Sequence, residues 1–376
     1  MSTELRAIYE RLMQAIRVEE IFGDAPARAD AAAITAQVRA EYHRLSRLVH
    51  PDLFARDPDA LDLANEACAR LNDLYQRAQS RIASGIYGVH TASDSPAGDG
   101  NDSDIDLRIR TRRREYHLTS VLAEGDLAMI YGGTCIDADT GDAGVVAKLV
   151  TDPADNPMLQ READALRKLW SDAGPQTKHL PVLLDQFKTT DGQLGNVLRR
   201  LDALDGLTLR ERLPRGVPAE HVLWIWERLL SVLGYAHSRG MLHGNIEPAH
   251  IMVRPRDHNV FLIDWCYSIL EPARTGDSFK CFNPDFHAPE VQQRGAPTPA
   301  ADLFAVGKCM IHLLGGDPAT GALPPAIDER LQRFAAFFLR DSPRQRAQDA
   351  WEMHGQLREL RTELFGPPRF VAFTVE

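Results

Sequence analysis

The sequence predicts a multidomain chain: an all-α helical hairpin, a flexible linker, then an α+β unit of two lobes. Three observations predict it. Apolar residues recur at helical spacing through residues 1–88. A polar segment without core-forming residues follows. Beyond it, short β-rich runs such as GVVAKLV precede long helical runs such as HVLWIWERLLSVLGYAHSRG, the order of an α+β domain. The chain has 376 residues, enough for two domains of ordinary size.

The first region reads as three helices. They cover about Thr3 to Ile16, Ala29 to Val49 and Pro58 to Ile82. On the second, Ile34, Val38, Tyr42, Leu45 and Val49 share one face at about 100° per residue. Arg39, His43 and Arg47 fall opposite, with Arg44 on the flank. That helix must stop at His50, because Pro51 disfavours the α conformation in the residue before it. On the third, Leu61, Cys68, Leu71 and Tyr75 form the apolar side, and Asp57-Pro58 reads as an N-cap with proline at the first helical position.

Residues 89–111 are the expected linker. VHTASDSPAGDGNDSDID is rich in Ser, Gly and Asp and cannot bury enough surface to offset its ordering entropy. The basic run Arg108 to Arg114 reads as a solvated approach to the next domain. The net charge of -10 argues against a nucleic-acid or anionic-membrane binder. The five cysteines include no C-x-x-C pair, so neither a disulfide framework nor a zinc site is expected. No apolar run approaches the roughly 20 residues of a membrane span, and the charged N-terminus does not read as a signal peptide. The expectation is a cytoplasmic protein.

The turn His50-Pro51-Asp52 ends a basic helix with Tyr42 eight residues upstream, and ANEACARLNDLYQRA follows. This arrangement, over residues 1–88, resembles the J-domain of DnaJ-type co-chaperones. The resemblance implies contact with a DnaK-type chaperone ATPase. His50, Pro51 and Asp52 would engage it, and Arg39, Arg44 and Arg47 would steer it through charge complementarity.

From residue 112 a second series of motifs appears. GVVAKLV holds Lys148, QREADALRKL holds Glu162, and YAHSRGMLHGNIEPAHIMV precedes FLIDWCYS. HAPEV, PAADLFAVGKCMIHLLGG with Asp302, and SPRQRA with Arg346 follow in order. The series resembles the eukaryotic-like serine/threonine protein kinase fold. It implies a small lobe over about 112–200, a large lobe over about 201–365, and ATP with magnesium as ligands. In that family a Lys grips the phosphates and pairs with a Glu, and an Asp binds magnesium. Lys148, Glu162 and Asp264 match these, and Gly125 matches one glycine of the phosphate-covering loop. Arg346 would pair with Glu290.

Several positions depart. Asn245 stands where the family has its catalytic aspartate, and an amide cannot accept a proton. His250 replaces the second metal ligand, Glu247 replaces a lysine, and Trp265 and Cys266 follow Asp264. Ala123 and Ala128 replace glycines, Asp126 would face phosphate, and Gly244 replaces an arginine. The combination implies a pseudokinase serving as a co-chaperone-type adaptor: the kinase fold holds a protein client or partner, and the J-domain recruits the chaperone. The alternative is an atypical kinase or nucleotidyl transferase using Lys148 and Asp264. A structural scaffold binding neither ligand is the third reading. Trp224 and Trp226 read as core. The tail, residues 366–376, alternates apolar and polar side chains and reads as a strand added to the small lobe or to a partner.

Overall fold

The computed structural model describes residues 3–15, 18–25, 30–54, 58–85, 87, 105–112, 114–136, 144–171 and 175–375. The chain divides into two compact units, Met1–Gly100 and Asn101–Glu376. Most of the expected linker, residues 89–104, and the expected cap Asp57 lie outside the described residues.

The first unit contains α1 (Thr3–Gln14), α2 (Glu19–Phe22), α3 (Ala31–Val49) and α4 (Pro58–Ala83). The short α2 was not legible in the sequence. Asp30 caps α3, its carboxylate accepting from the Ala33 amide at 2.8 Å. α3 ends at His50, whose ψ of 127° is the extended conformation that Pro51 imposes. Val38, Leu45 and Val49 are buried as the periodicity predicts, with Ile34 and Tyr42 packed beside them. Tyr42 stacks on Tyr75 with ring centroids 4.0 Å apart. On α4 the fully buried stripe is Ala60, Ala64, Ala67, Leu71, Leu74 and Ala78. Leu61, Cys68 and Tyr75 lie only at its edge. α4 packs against both α1 and α3, and small side chains let it approach both closely.

The second unit opens on a six-stranded antiparallel sheet. Its strands are β1 (Leu107–Arg110), β2 (Glu115–Glu124), β3 (Ala128–Cys135), β4 (Gly144–Val150), β5 (Leu183–Lys188) and β6 (Leu194–Arg199). Their spatial order is β1-β2-β3-β4-β6-β5. β1 starts inside the predicted linker, at the edge of the sheet, and Arg108 and Arg110 of the basic run are exposed on it. Gly133 is required in β3, since a Cβ there would sit 2.1 Å from the His117 carbonyl oxygen. Helix α5 (Asn156–Trp170) packs on this sheet and carries Glu162.

The large lobe follows: β7 (Leu204–Asp205), α6 (Gly206–Arg212), α7 (Ala219–His237), β8 (Met241–Leu242), β9 (Ile251–Arg254), β10 (Asn259–Leu262), β11 (Ile269–Leu270), α8 (Pro272–Thr275), α9 (Pro289–Gln292), α10 (Pro299–Leu313), α11 (Glu329–Phe338) and α12 (Ala350–Phe365). α7 and α10 are buried almost all round and form its centre, where Trp226 packs against Phe334 and Phe338. Trp224 is buried too. The tail does not form the expected strand. Residues 366–375 lie on the large lobe: Phe373 stacks on His221, and Phe370 stacks on His258, which in turn stacks on Trp224. The aromatic faces available there hold the tail by side chains instead of by a ladder.

Candidate active site

The β4 register directs Lys148 inward beneath the sheet, and α5 brings Glu162 to it. Lys148 Nζ donates to Glu162 Oε1 at 2.7 Å and to Asp264 Oδ1 at 2.5 Å. All three sequence-predicted charges therefore meet. Sequence reading missed the group that orients Glu162. Asn196 is fully buried on β6, and its amide donates to Glu162 Oε2 at 3.0 Å and to the Leu159 carbonyl at 2.9 Å. A polar residue inside the apolar run LGNVL is the signal that could have found it.

Burial would depress the Lys148 ammonium, but the charges of Asp264 and Glu162 outweigh it and hold the group well above its usual range. Burial would likewise raise Asp264, and the Lys148 ammonium reverses this and keeps the carboxyl ionised. Cys266 lies 4.0 Å from Lys148 Nζ. Burial first, then the neighbouring carboxylates, push its thiol well above the usual range, so it is not a thiolate at neutral pH. Glu162, Asp264 and Cys266 are close enough to hold an ion among the described residues. The Lys148 ammonium offsets one of the two carboxylate charges in that group.

Asp264 adopts the left-handed backbone region at φ 65°, a strained geometry that aims its carboxylate at Lys148. Trp265 fills the core behind it, donating from Nε1 to the Leu262 carbonyl at 2.9 Å. The catalytic-type loop is anchored by buried Asp302. Its carboxylate accepts from the His243 and Gly244 amides at 2.8 and 2.9 Å and contacts His237 Nε2 at 2.9 Å. Gly244 is explained by its backbone: φ is 78°, and a Cβ would stand 2.7 Å from the Tyr267 carbonyl oxygen. Glu290 and Arg346 form the expected buried ion pair.

These elements frame a cleft of about 610 Å³. Gly125, Asp126 and Ala128 cover it, and Lys148, Asn245, Glu247, His250, Asp264 and Cys266 line its polar end. Arg199, Arg200, Leu201 and Ala203 line the connection between the lobes, a segment the sequence left unassigned. Asn245 is buried at the position of the missing base. Glu247 Oε2 accepts from Asn283 Nδ2 at 2.7 Å, so its charge is fixed in the loop.

A magnesium pair is the ligand the fold implies, and the donor chemistry here does not fit it. Asp264 is a suitable hard oxygen ligand. His250 offers imidazole nitrogen where magnesium requires oxygen.

A family model described as protein kinase domain matches residues 116–353. PknF of Mycobacterium tuberculosis, a serine/threonine-protein kinase, is 29% identical over 193 residues, covering 46% of this chain and 39% of PknF. The serine/threonine-protein kinase pkn3 of Myxococcus xanthus is 27% identical over 247 residues, covering 62% of this chain and 42% of pkn3. The chain thus spans about two fifths of the length of these curated relatives. A solved double-mutant structure of the Mycobacterium tuberculosis PknI kinase domain superposes with a TM-score of 0.50 at 22% identity, covering 65% of this chain and 95% of that domain. Among the described residues no helix is long and apolar enough to cross a membrane. The family match lies within the second unit and takes in more than half of the residues, so the chain belongs to the protein kinase domain family.

Proposed function

We propose that the second unit binds ATP and transfers its phosphoryl group as an atypical kinase, relying on Lys148 and Asp264 without a carboxylate base. One observation carries this reading: the buried Lys148 ammonium is held at once by Glu162 and Asp264, the charge arrangement with which the family grips nucleotide phosphates. A chain with no use for nucleotide gains little from three ionised groups there. Burying charge is costly, and an apolar cluster of similar volume is often as stable or more so. The relatives' names as serine/threonine kinases support the same reading. Without a base, catalysis rests on positioning and electrostatics.

ATP at 100 times its dissociation constant should stabilise the full chain by about 2.7 kcal/mol. Thermal melts with and without ATP and a divalent cation measure this. Lys148→Ala should remove the ATP-induced shift, and radiolabel transfer from ATP should disappear in Asp264→Ala. A wild-type melt unmoved by ATP would overturn the proposal.

A second reading is favoured by Asn245 and Glu247: a pseudokinase adaptor whose fold holds a protein client and whose N-terminal hairpin recruits a DnaK-type ATPase. The exposed Arg47 and His50 at the end of α3 support a docking role. Arg44 is exposed but engaged by Glu41 at 2.7 Å, which weakens its steering charge. The Asp52 side chain lies outside the described residues. The full chain should accelerate a DnaK-type chaperone's ATP hydrolysis, and Asp52→Asn should abolish that effect without melting α3. Equal stimulation by the variant would remove the J-domain assignment.

A further inference from the structure

We propose that His250 and Asp264 form a cation site that favours divalent transition ions over magnesium. The inference rests on the ATP-binding reading of the cleft. His250 Nδ1 lies 2.8 Å from the Asn245 carbonyl oxygen. A carbonyl can only accept, so Nδ1 carries the hydrogen and, in the neutral ring, Nε2 presents its lone pair. Nε2 lies 3.5 Å from Asp264 Oδ2, while the other oxygen, Oδ1, is taken by Lys148. The carboxylate is thereby divided between the ammonium and the imidazole.

The 3.5 Å spacing has a direct meaning. Two ligands about 2.1 Å from one ion at the tetrahedral angle stand about 3.4 Å apart. An Nδ1–H donated to a backbone carbonyl is also how metal-binding histidines fix their tautomer and ring orientation. Glu247 Oε1 lies 3.5 Å from the same Nε2 and adds negative charge beside it. Mixed nitrogen and oxygen donors suit first-row transition ions. Magnesium requires near-octahedral oxygen and gains little from imidazole. The competing reading is an imidazolium paired with the two carboxylates, with no ion involved.

The test uses the full chain, a non-hydrolysable ATP analogue, and Co²⁺ and Mg²⁺ as probes, read by titration calorimetry and by the visible spectrum of Co²⁺. The analogue-loaded chain should favour Co²⁺ over Mg²⁺, and H250N should reduce that preference roughly tenfold. The wild-type Co²⁺ spectrum should show nitrogen ligation, a readout that holds even if H250N folds poorly. An identical preference in wild type and H250N, or an all-oxygen Co²⁺ spectrum, overturns the inference. If the analogue still binds in those cases, the ATP reading stands. Failure of the analogue to bind with either ion overturns both.

Discussion

Asn245→Asp is expected to raise phosphoryl transfer by roughly 10²-fold or more. General-base catalysis contributes about 10²–10⁴-fold, or roughly 3–5 kcal/mol of barrier at about 1.36 kcal/mol per decade. Asn245 is close in shape to aspartate, and its backbone is already set: its amide lies 3.3 Å from His243 Nδ1, and its carbonyl receives His250 Nδ1. The substitution therefore changes the chemistry more than the geometry. Glu247 remains where the family has a lysine, and its negative charge opposes the charge carried by the transferring group, so the gain should fall at the low end. Adding Glu247→Lys should raise it further. The measurement is the initial rate of radiolabel transfer from ATP to a generic acceptor protein, with Asp264→Ala as the blank. A variant that binds ATP as wild type does and transfers no faster would move the balance to the adaptor reading.

The same loop shows what the sequence could and could not convey. Lys148, Glu162 and Asp264 were legible because each sits in a motif whose local structure is fixed: a strand, a helix and a strand end. Their meeting was implied by the family resemblance, and the distances confirm it. Asn196 was not legible, because its role depends on the β4–β6 register, which brings it opposite Lys148 across two strands. Gly244 looked like the loss of a phosphate-binding arginine, whereas its positive φ and the Tyr267 carbonyl give a backbone reason for glycine. The tail was misread for a related cause. Alternation of apolar and polar residues suits a strand, yet Phe370 and Phe373 found aromatic partners on the large lobe instead. On α4, periodicity found the correct helix but favoured large side chains. The buried stripe mixes four alanines with Leu71 and Leu74, and the alanines are selected only by packing on both sides.

Three buried histidines should make the second unit acid-labile. Burial pushes His179, His243 and His287 down to about 4. Burial outweighs the ring hydrogen bonds, which for His179 and His243 run to backbone carbonyls and by themselves favour the protonated form. His179 Nδ1 faces the Val260 carbonyl at 2.9 Å and His243 Nε2 the Ile263 carbonyl at 2.9 Å. His287 Nδ1 accepts from the Asn283 amide at 3.1 Å. In the unfolded chain each titrates near 6.5. Above that value both states are neutral and pH has no leverage. Between about 6.5 and 4 the unfolded chain binds protons that the folded chain refuses, so stability falls as pH falls. The loss is on the order of 3 kcal/mol per histidine across that window. Three together match the whole stability of a typical domain, about 5–15 kcal/mol. Near-ultraviolet circular dichroism against pH should therefore show cooperative loss of tertiary signal between pH 6 and pH 4, setting in roughly one to two units above the range in which ordinary carboxylates titrate. His287→Gln, which keeps an acceptor for Asn283, should shallow the slope. A signal that persists unchanged to pH 4 would mean that these rings take up protons in the folded state, and that burial does not hold them neutral.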